Sequence, residues 1–144
     1  MAPGPTPGTN TLTVVTANRT ELLARIAGAI ALAGLDILAV DAYSAPGNLA
    51  LDSFVVTSAT RRAVTTETFT WLERLLGAAL RDRLELKTRL AERRRHYPPR
   101  AHTPATVQVI SAGFDTDVRV SAPDRPGLLH DLARAVSATG LDIR

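Results

Sequence analysis

Two short loops, each just before an apolar helical stretch, carry the residues best suited to bind a small ligand. The first reads Asn18-Arg19-Thr20, and the second reads Asp124-Arg125-Pro126-Gly127-Leu128. A loop that enters a helix presents unpaired backbone N–H groups and the positive end of the helix dipole, which suit a carboxylate. Gly127 permits close approach because it has no Cβ, and Asp124 can pair with an ammonium group. The alternative interpretation is that Asp124 only caps the helix and Gly127 only packs.

Other sets of polar residues are better explained as structure than as catalytic or metal sites. Asp115-Thr116-Asp117 is the only Asp-x-Asp, but it lies in a predicted turn and lacks the Gly-Ser loop of a magnesium-dependent nucleotidyltransferase. A triad of Ser121, His130 and Asp124 has no nucleophile elbow. His130 is expected on a helix surface, away from the other two histidines, His96 and His102. We therefore predict no catalytic residue, no metal and no cofactor.

The net charge of +3 belongs to one segment. Residues 81–100 contain eight basic and three acidic side chains, so this segment is +5 and the rest of the chain sums to −2. Within it, Arg93-Arg94-Arg95 could contact phosphate, but a solvated connector or a docking surface explains the run as well. Aromatic residues make up only 4% of the chain, too few for the stacking platforms of single-strand nucleic-acid binders. Nucleic acid is therefore not the expected partner.

Composition narrows the class of protein further. The 144 residues include no cysteine, which excludes a disulfide scaffold and a thiolate site, and 45% are hydrophobic, enough for a real core. The start is rich in Pro and Gly, without the charged and apolar regions of a signal peptide. The longest apolar window, residues 26–40, is broken by Gly34 and Asp36, so no membrane-spanning helix is expected. These features predict a cytoplasmic protein with no membrane partner.

An internal repeat organises the chain. Asn18-Arg19-Thr20-Glu21-Leu22-Leu23 corresponds to Asp124-Arg125-Pro126-Gly127-Leu128-Leu129 at an offset of 106 residues. The segment Gly-Leu-Asp-Ile recurs at the same offset, beginning at Gly34 and at Gly140. Each copy is interpreted as strand, tight loop, helix and strand.

The elements of the first copy follow from periodicity. Residues 11–16 form a β-branched strand, and apolar residues between positions 22 and 30 lie on one helical stripe. Asn18 with Glu21 is typical of a helix cap, and Gly34 of a left-handed helix end. Residues 37–43 and 49–57 pair around the turn Pro46-Gly47-Asn48. A second helix opens at residues 66–68 and continues to Leu84.

The rest of the chain has weaker signals. Residues 89–103 are basic and interrupted by Pro98 and Pro99, which indicates a linker or loop. Residues 106–110 and 117–121 are short strands around the turn-prone Ala112-Gly113. In the second copy, Pro126 suits the first helical position and Gly140 repeats the left-handed end. We expect the apolar side chains of this last helix to dock on the first copy or on a second chain.

These elements predict an α+β fold. If residues 106–110 are the last strand of the first copy, the order is βαββαβ, a ferredoxin-like sandwich with a four-stranded antiparallel sheet and two helices on one face. The predicted divisions are a disordered tail at 1–10, a first domain at 11–111 that includes a connector at 86–105, and a second domain at 115–144. The second domain has only its first strand and helix, so we expect it to be truncated.

The motif Asp124-Arg125-Pro126-Gly127-Leu128-Leu129, followed by a helix and Gly140-Leu141-Asp142-Ile143, resembles the opening of an ACT domain. ACT domains are ligand-sensing modules of this same βαββαβ fold. The segment from Gly47 to Val56, with Asp52-Ser53-Phe54, resembles the family's third strand. A tandem pair joined by a basic, Pro-rich connector is similar to the C-terminal end of bifunctional uridylyltransferase/uridylyl-removing enzymes, which modify the PII signalling protein.

The resemblance implies a function. It implies a non-catalytic regulatory module that binds an amino acid, with glutamine suspected, and that pairs with another ACT domain in cis or in trans. The ligand residues it implies are Asn18, Arg19 and Thr20 in the first loop and Asp124, Arg125, Pro126, Gly127 and Leu128 in the second. The PII protein would be a partner only through an intact parent enzyme. The alternative is a stand-alone ACT protein that binds small molecules or drives oligomerisation.

Overall fold

A computed structural model describes residues 2–60, 62–97, 104–112, 115–141 and 143. Strands and helices follow one another along the chain: β1 (Ala2–Pro3), β2 (Thr9–Ala17), α1 (Leu22–Leu32), β3 (Leu35–Ala45), β4 (Leu49–Ser58), α2 (Thr66–Leu80), α3 (Leu86–Arg94), β5 (Thr106–Ala112), β6 (Asp115–Ser121) and α4 (Leu128–Ala138). The predicted linker residues Pro98, Pro99 and His102, together with Gly113 and Asp142, lie outside the described ranges.

The first copy is an antiparallel sheet covered by helices on one face. The strand order is β1-β2-β4-β3. Alternate residues of β4 point at the helices, and its Phe54 and Val56 are fully buried. They pack against Ile26 of α1 and Leu72 of α2 in the main core. The α+β class and the ferredoxin-like arrangement are confirmed.

The strand at one edge of this sheet differs from the prediction. Residues 106–110 do not close the first copy, because β5 pairs with β6 in a separate two-stranded sheet. The edge position is occupied by β1, with Ala2 opposite Thr11 and Pro3 opposite Asn10. Part of the segment predicted as a disordered tail is therefore a strand. Local antiparallel pairing explains both outcomes, since each hairpin joins neighbouring segments of the chain.

The repeat extends to these hairpins. At the offset of 106 residues, β2 corresponds to β6, and the β1 residues Ala2 and Pro3 correspond to Gln108 and Val109 of β5. Each copy thus begins with a hairpin followed by a helix, α1 in the first copy and α4 in the second. Asp115-Thr116-Asp117, predicted as a turn, begins β6 instead.

The segment predicted as a connector contains a packed helix. Within the predicted connector, residues 86–105, α3 spans Leu86–Arg94, and its Leu86 and Leu90 are buried. These two residues are spaced i, i+4 and lie on one helical face. The high charge of the segment obscured this spacing, because Lys87 and Arg89 are exposed while the partly buried Arg93 and Arg94 look the same in the sequence.

Helix α4 docks on α1 in the same chain. His130 is 3% exposed, and its Nδ1 donates a hydrogen bond of 2.7 Å to the backbone oxygen of Ala24. The prediction that His130 is a surface residue is wrong, since its helix is covered by α1. Gly28 makes this approach possible, because a Cβ there would lie 2.9 Å from Nδ1 of His130. Of the two partners expected for this helix, the first copy is the one observed.

None of the helices in the described ranges has the length and apolar character needed to span a lipid bilayer.

A substitution at Leu90 tests whether α3 is part of the fold. Leu90 is fully buried beneath Gly127, so Leu90→Ala should lower the free energy of unfolding by roughly 2–4 kcal/mol through lost contacts and a cavity. Lys87→Ala, on the exposed face of the same helix, should change it by less than about 0.5 kcal/mol. Urea denaturation of both variants checks this. Equal stabilities would show that α3 does not pack as described.

Candidate functional site: two clefts between the repeated copies

Where each predicted ligand loop meets its helix, the equivalent residues of the two copies have the same left-handed backbone conformation. Glu21 has φ 61° and ψ 14°, and Gly127, its counterpart in the repeat, has φ 74° and ψ 19°. Both are the residue immediately before a helix, and neither makes a side-chain cap hydrogen bond. The predicted capping role of Asn18 with Glu21 is therefore wrong, and Pro126 precedes the helix rather than starting it. The left-handed ends predicted at Gly34 and Gly140 are confirmed.

The first cleft lies where the loop of the first copy meets the end of the second copy. Its volume is about 330 Å³, at the low end of the range of roughly 300–1,000 Å³ typical of small-molecule sites. The predicted residues Asn18, Arg19 and Thr20 all line it. The other side chains along its walls come from the start of α1, from β3 and β4, and from the second copy: Glu21, Leu22, Leu23, Ala42, Tyr43, Ser44, Asn48, Ala50, Asp52, Ser137, Leu141 and Ile143.

The second cleft is the counterpart on the other loop, with a volume of about 220 Å³. The five predicted residues of this loop, from Asp124 to Leu128, line it. Opposite them lie the Leu-Asp-Ile segment of the first copy and the end of α3, including Asp36, Arg93 and Tyr97. Cations, carboxylates and the start of α4 therefore surround this cleft.

The two clefts are related by an approximate two-fold axis. His130 and Ala24, which are joined by a hydrogen bond, occupy equivalent positions in the repeat. A contact between equivalent positions places the axis beside them. Each loop consequently faces the segment of the other copy that follows its helix: the first loop faces Gly140 and Leu141, and the second faces Leu35 and Asp36. Neither cleft is complete without both copies.

The arginine of each loop contacts neighbouring elements of the fold. Arg125 forms an ion pair of 2.7 Å with Asp131. Arg19 donates to the backbone oxygen of Leu80 and pairs with Asp82 at 3.6 Å. These contacts hold the loops to neighbouring elements, so the two guanidinium groups shape the clefts in addition to lining them.

Arg94 holds the second loop in place. Its Nε donates to the backbone oxygen of Pro126 at 2.9 Å, and its Nη2 donates to that of Gly127 at 3.3 Å and pairs with Asp131 at 2.8 Å. Burial raises the pKa of Asp131, but the hydrogen bonds from Arg125 and Arg94 outweigh it and bring the pKa below its ordinary value. Of the arginine run, only Arg95 is exposed, so a solvated connector does not describe Arg94.

Sequence reasoning missed Arg94, which holds the second loop, and Asp52, which lines the first cleft. Arg94 was hidden in a charged run whose leucine spacing indicated a helix. Asp52 is not among the predicted ligand residues, although its place in Ala50-Leu51-Asp52-Ser53-Phe54 sets it on the buried face of a strand. Among the described residues, no group of three His, Asp or Glu side chains is arranged to hold a metal ion.

Comparisons with known proteins identify relatives for this chain. No family model matches it, and no solved structure matches it significantly. Curated bifunctional uridylyltransferase/uridylyl-removing enzymes do match. Those of Gluconobacter oxydans and Azospirillum brasilense are 31% and 30% identical over 98% and 92% of this chain, and that of Novosphingobium aromaticivorans is 34% identical over 92%.

This chain is homologous to part of those enzymes. It spans 16% of the length of the Gluconobacter relative and 15% of the other two. The similarity covers nearly the whole chain, and therefore both copies and the α3 segment between them.

Gly127 tests the shape of the second loop. Gly127→Ala should cost roughly 1–2 kcal/mol for an alanine at positive φ, and more because its Cβ would lie 3.0 Å from Arg94 and 3.1 Å from Leu90. Gly47→Ala is the matched control, with φ 79° and nothing within 4 Å of the added atom. Thermal or urea unfolding should show the larger loss for Gly127→Ala. Equal losses would mean that α3 does not press on the loop.

The pKa of Asp131 predicts how acid affects the loop. Because this pKa is lowered on folding, the carboxylate stabilises the fold above its unfolded pKa of about 4, and that contribution is lost as the pH falls through the folded value. Asp131→Asn should reduce stability at pH 7 by about 1–2 kcal/mol, and the difference from the parent protein should shrink below pH of about 4. Denaturant titrations between pH 2 and 7 measure it.

The control for this prediction is Asp117→Asn. Asp117 pairs with Arg119 at 3.5 Å, and both side chains are about two-thirds exposed, so its removal should change stability by less than about 0.5 kcal/mol. If the stability lost in Asp131→Asn did not depend on pH, the lowered pKa of Asp131 would be contradicted.

Proposed function

We propose that this chain is a non-catalytic regulatory module of the ACT type that senses an amino acid, with glutamine the expected ligand. The observation that carries the proposal is that the predicted ligand loops of both copies line clefts formed jointly by the two copies. A regulatory role is compatible with homology to a small part of bifunctional uridylyltransferase/uridylyl-removing enzymes.

The chemistry of the clefts supports a zwitterionic ligand. In the second cleft, the start of α4 and Arg93 suit a carboxylate, while Asp36 and Asp124 suit an ammonium group. The guanidinium of Arg93 lies 5.9 Å from the ring centre of Tyr97 and close to Gly34 at the end of α1. These partners hold the positive charge at the wall of the cleft.

The joint walls supply a route from binding to regulation. A ligand that contacts both copies stabilises the docked arrangement of α1 and α4 over any arrangement in which they separate. In a longer parent enzyme, that preference could bias uridylyl transfer against uridylyl removal. The PII protein would then be a partner of the parent and not of this chain, and a cytoplasmic location belongs to the same proposal.

Isothermal titration tests the proposal directly. L-glutamine and a panel of other amino acids are titrated into this chain, and saturable heat is expected with glutamine. Ser44→Trp should abolish the contribution of the first cleft, because Ser44 lines it and is exposed there. Thr13→Trp, an exposed position elsewhere on the sheet, should leave binding unchanged. No heat from any amino acid would overturn the sensing role.

A stand-alone binding or oligomerisation protein is the alternative. Val15, Leu51 and Tyr43 are neighbours on the open face of the sheet and are 61%, 40% and 59% exposed, which favours association through this face. Reading the flanking DNA distinguishes the two functions. Nucleotidyltransferase and His-Asp domains in the same reading frame would support the regulatory module, and their absence would support the alternative.

A further inference from the structure

The first cleft contains the side chain of Asp52, a buried residue whose carboxylate makes no hydrogen bond or ion pair with the described residues. Asp52 is 4% exposed and lines the cleft from β4. Its cross-strand neighbours are Val14 and Ala42, and Ala50 and Phe54 flank it on the same face. None of the described side chains or backbone groups donates a hydrogen bond to it, and its pKa is raised by burial alone. The strand neighbours of Asp52 are therefore apolar.

Three other carboxylates of the described residues are paired with arginine. Glu21 pairs with Arg25 and Arg134, and Asp131 pairs with two arginines. Asp82 likewise pairs with Arg19 and Arg25. Asp52 is more buried than these three carboxylates, yet no described arginine pairs with it. The oxygens of Asp52 are not fully enclosed, so they open into the cleft. A carboxylate that is desolvated and has no cationic partner is costly, and such groups concentrate at functional sites.

The polar groups around Asp52 define what the cleft can take. An ionised carboxylate only accepts hydrogen bonds, so its complement is a cationic donor such as a primary ammonium group. The start of α1 also lines this cleft, together with Asn18 and Thr20, and it suits the carboxylate of the same ligand. This pairing gives each end of an α-amino acid its own partner.

We propose that Asp52 binds the ammonium group of the ligand in the first cleft, so that this cleft accepts only ligands with a free primary amine. The inference deepens the proposed function and rests on it. The inference also distinguishes the two clefts. The acidic residue of the first cleft, Asp52, is buried, whereas those of the second cleft, Asp36 and Asp124, are exposed.

The test compares Asp52→Asn with the parent chain by isothermal titration. The amide keeps the shape of the side chain and removes its charge. L-glutamine should bind the variant at least about tenfold more weakly at the first cleft, the change expected when a charged hydrogen bond is lost. Glutaramic acid, which is glutamine without its amine, should not saturate the first cleft of either protein. Asp41→Asn, an exposed aspartate of β3, should bind glutamine like the parent.

A second measurement excludes an indirect structural effect. The Asp52 carboxyl carbon is followed by NMR through a pH titration, with and without glutamine. A bound ammonium favours the ionised carboxylate, so glutamine should lower the pKa of Asp52. An unchanged titration, or equal glutamine binding by Asp52→Asn and the parent chain, would overturn the inference and leave the proposed function standing.

Methylammonium separates failure of the inference from failure of the proposed function. If no amino acid binds the parent chain, but methylammonium binds it and does not bind Asp52→Asn, the assignment of Asp52 holds and amino-acid sensing is wrong. If neither amino acids nor methylammonium bind the parent chain, both proposals are overturned.

Discussion

Both clefts depend on the close approach of α4 to α1. That approach is possible because Gly28 has no side chain where the His130 ring lies, and because Ala24 offers only a methyl group beside its carbonyl. The hydrogen bond from Nδ1 of His130 to this carbonyl fixes the separation of the two helices at their crossing. A larger residue at Gly28 would push the helices apart, and the walls that each copy lends to the other's loop would separate with them.

Helix α3 fixes the second loop in this arrangement. Leu90 fills the space beneath Gly127. Arg94 donates hydrogen bonds to two backbone carbonyl groups of the loop and forms an ion pair with Asp131. A glycine and an arginine are needed here for opposite reasons. The glycine leaves room and tolerates a positive φ, whereas the arginine offers several donors in a fixed plane. At the position equivalent to Gly127, the first copy has Glu21, also at positive φ, and its carboxylate pairs with Arg25 and Arg134.

The sequence predicted the loops and missed much of what packs on them, for physical reasons. Local sequence patterns encode the repeat, the helix ends at Gly34 and Gly140 and the class of the sheet. The strand β1 carries no such signal, since two residues in a Pro-rich segment have no periodicity. The burial of His130 depends on a contact across 106 residues, which no local pattern encodes. The burial of Asp52 could have been predicted from the sequence, because strand alternation alone sets this residue on the covered face of β4.

The shared helices make the two clefts physically dependent on one another. The first turn of α1 lines the first cleft, and Ala27 and Ala31, farther along the same helix, line the second. A shift of α1 against α4 therefore changes the width of both clefts at once. A ligand that contacts both copies in one cleft holds these helices in their docked positions, and the same positions preform the other cleft. Coupling of this kind needs no separate pathway, because the contact of Ala24 with His130 is the element that both sites constrain.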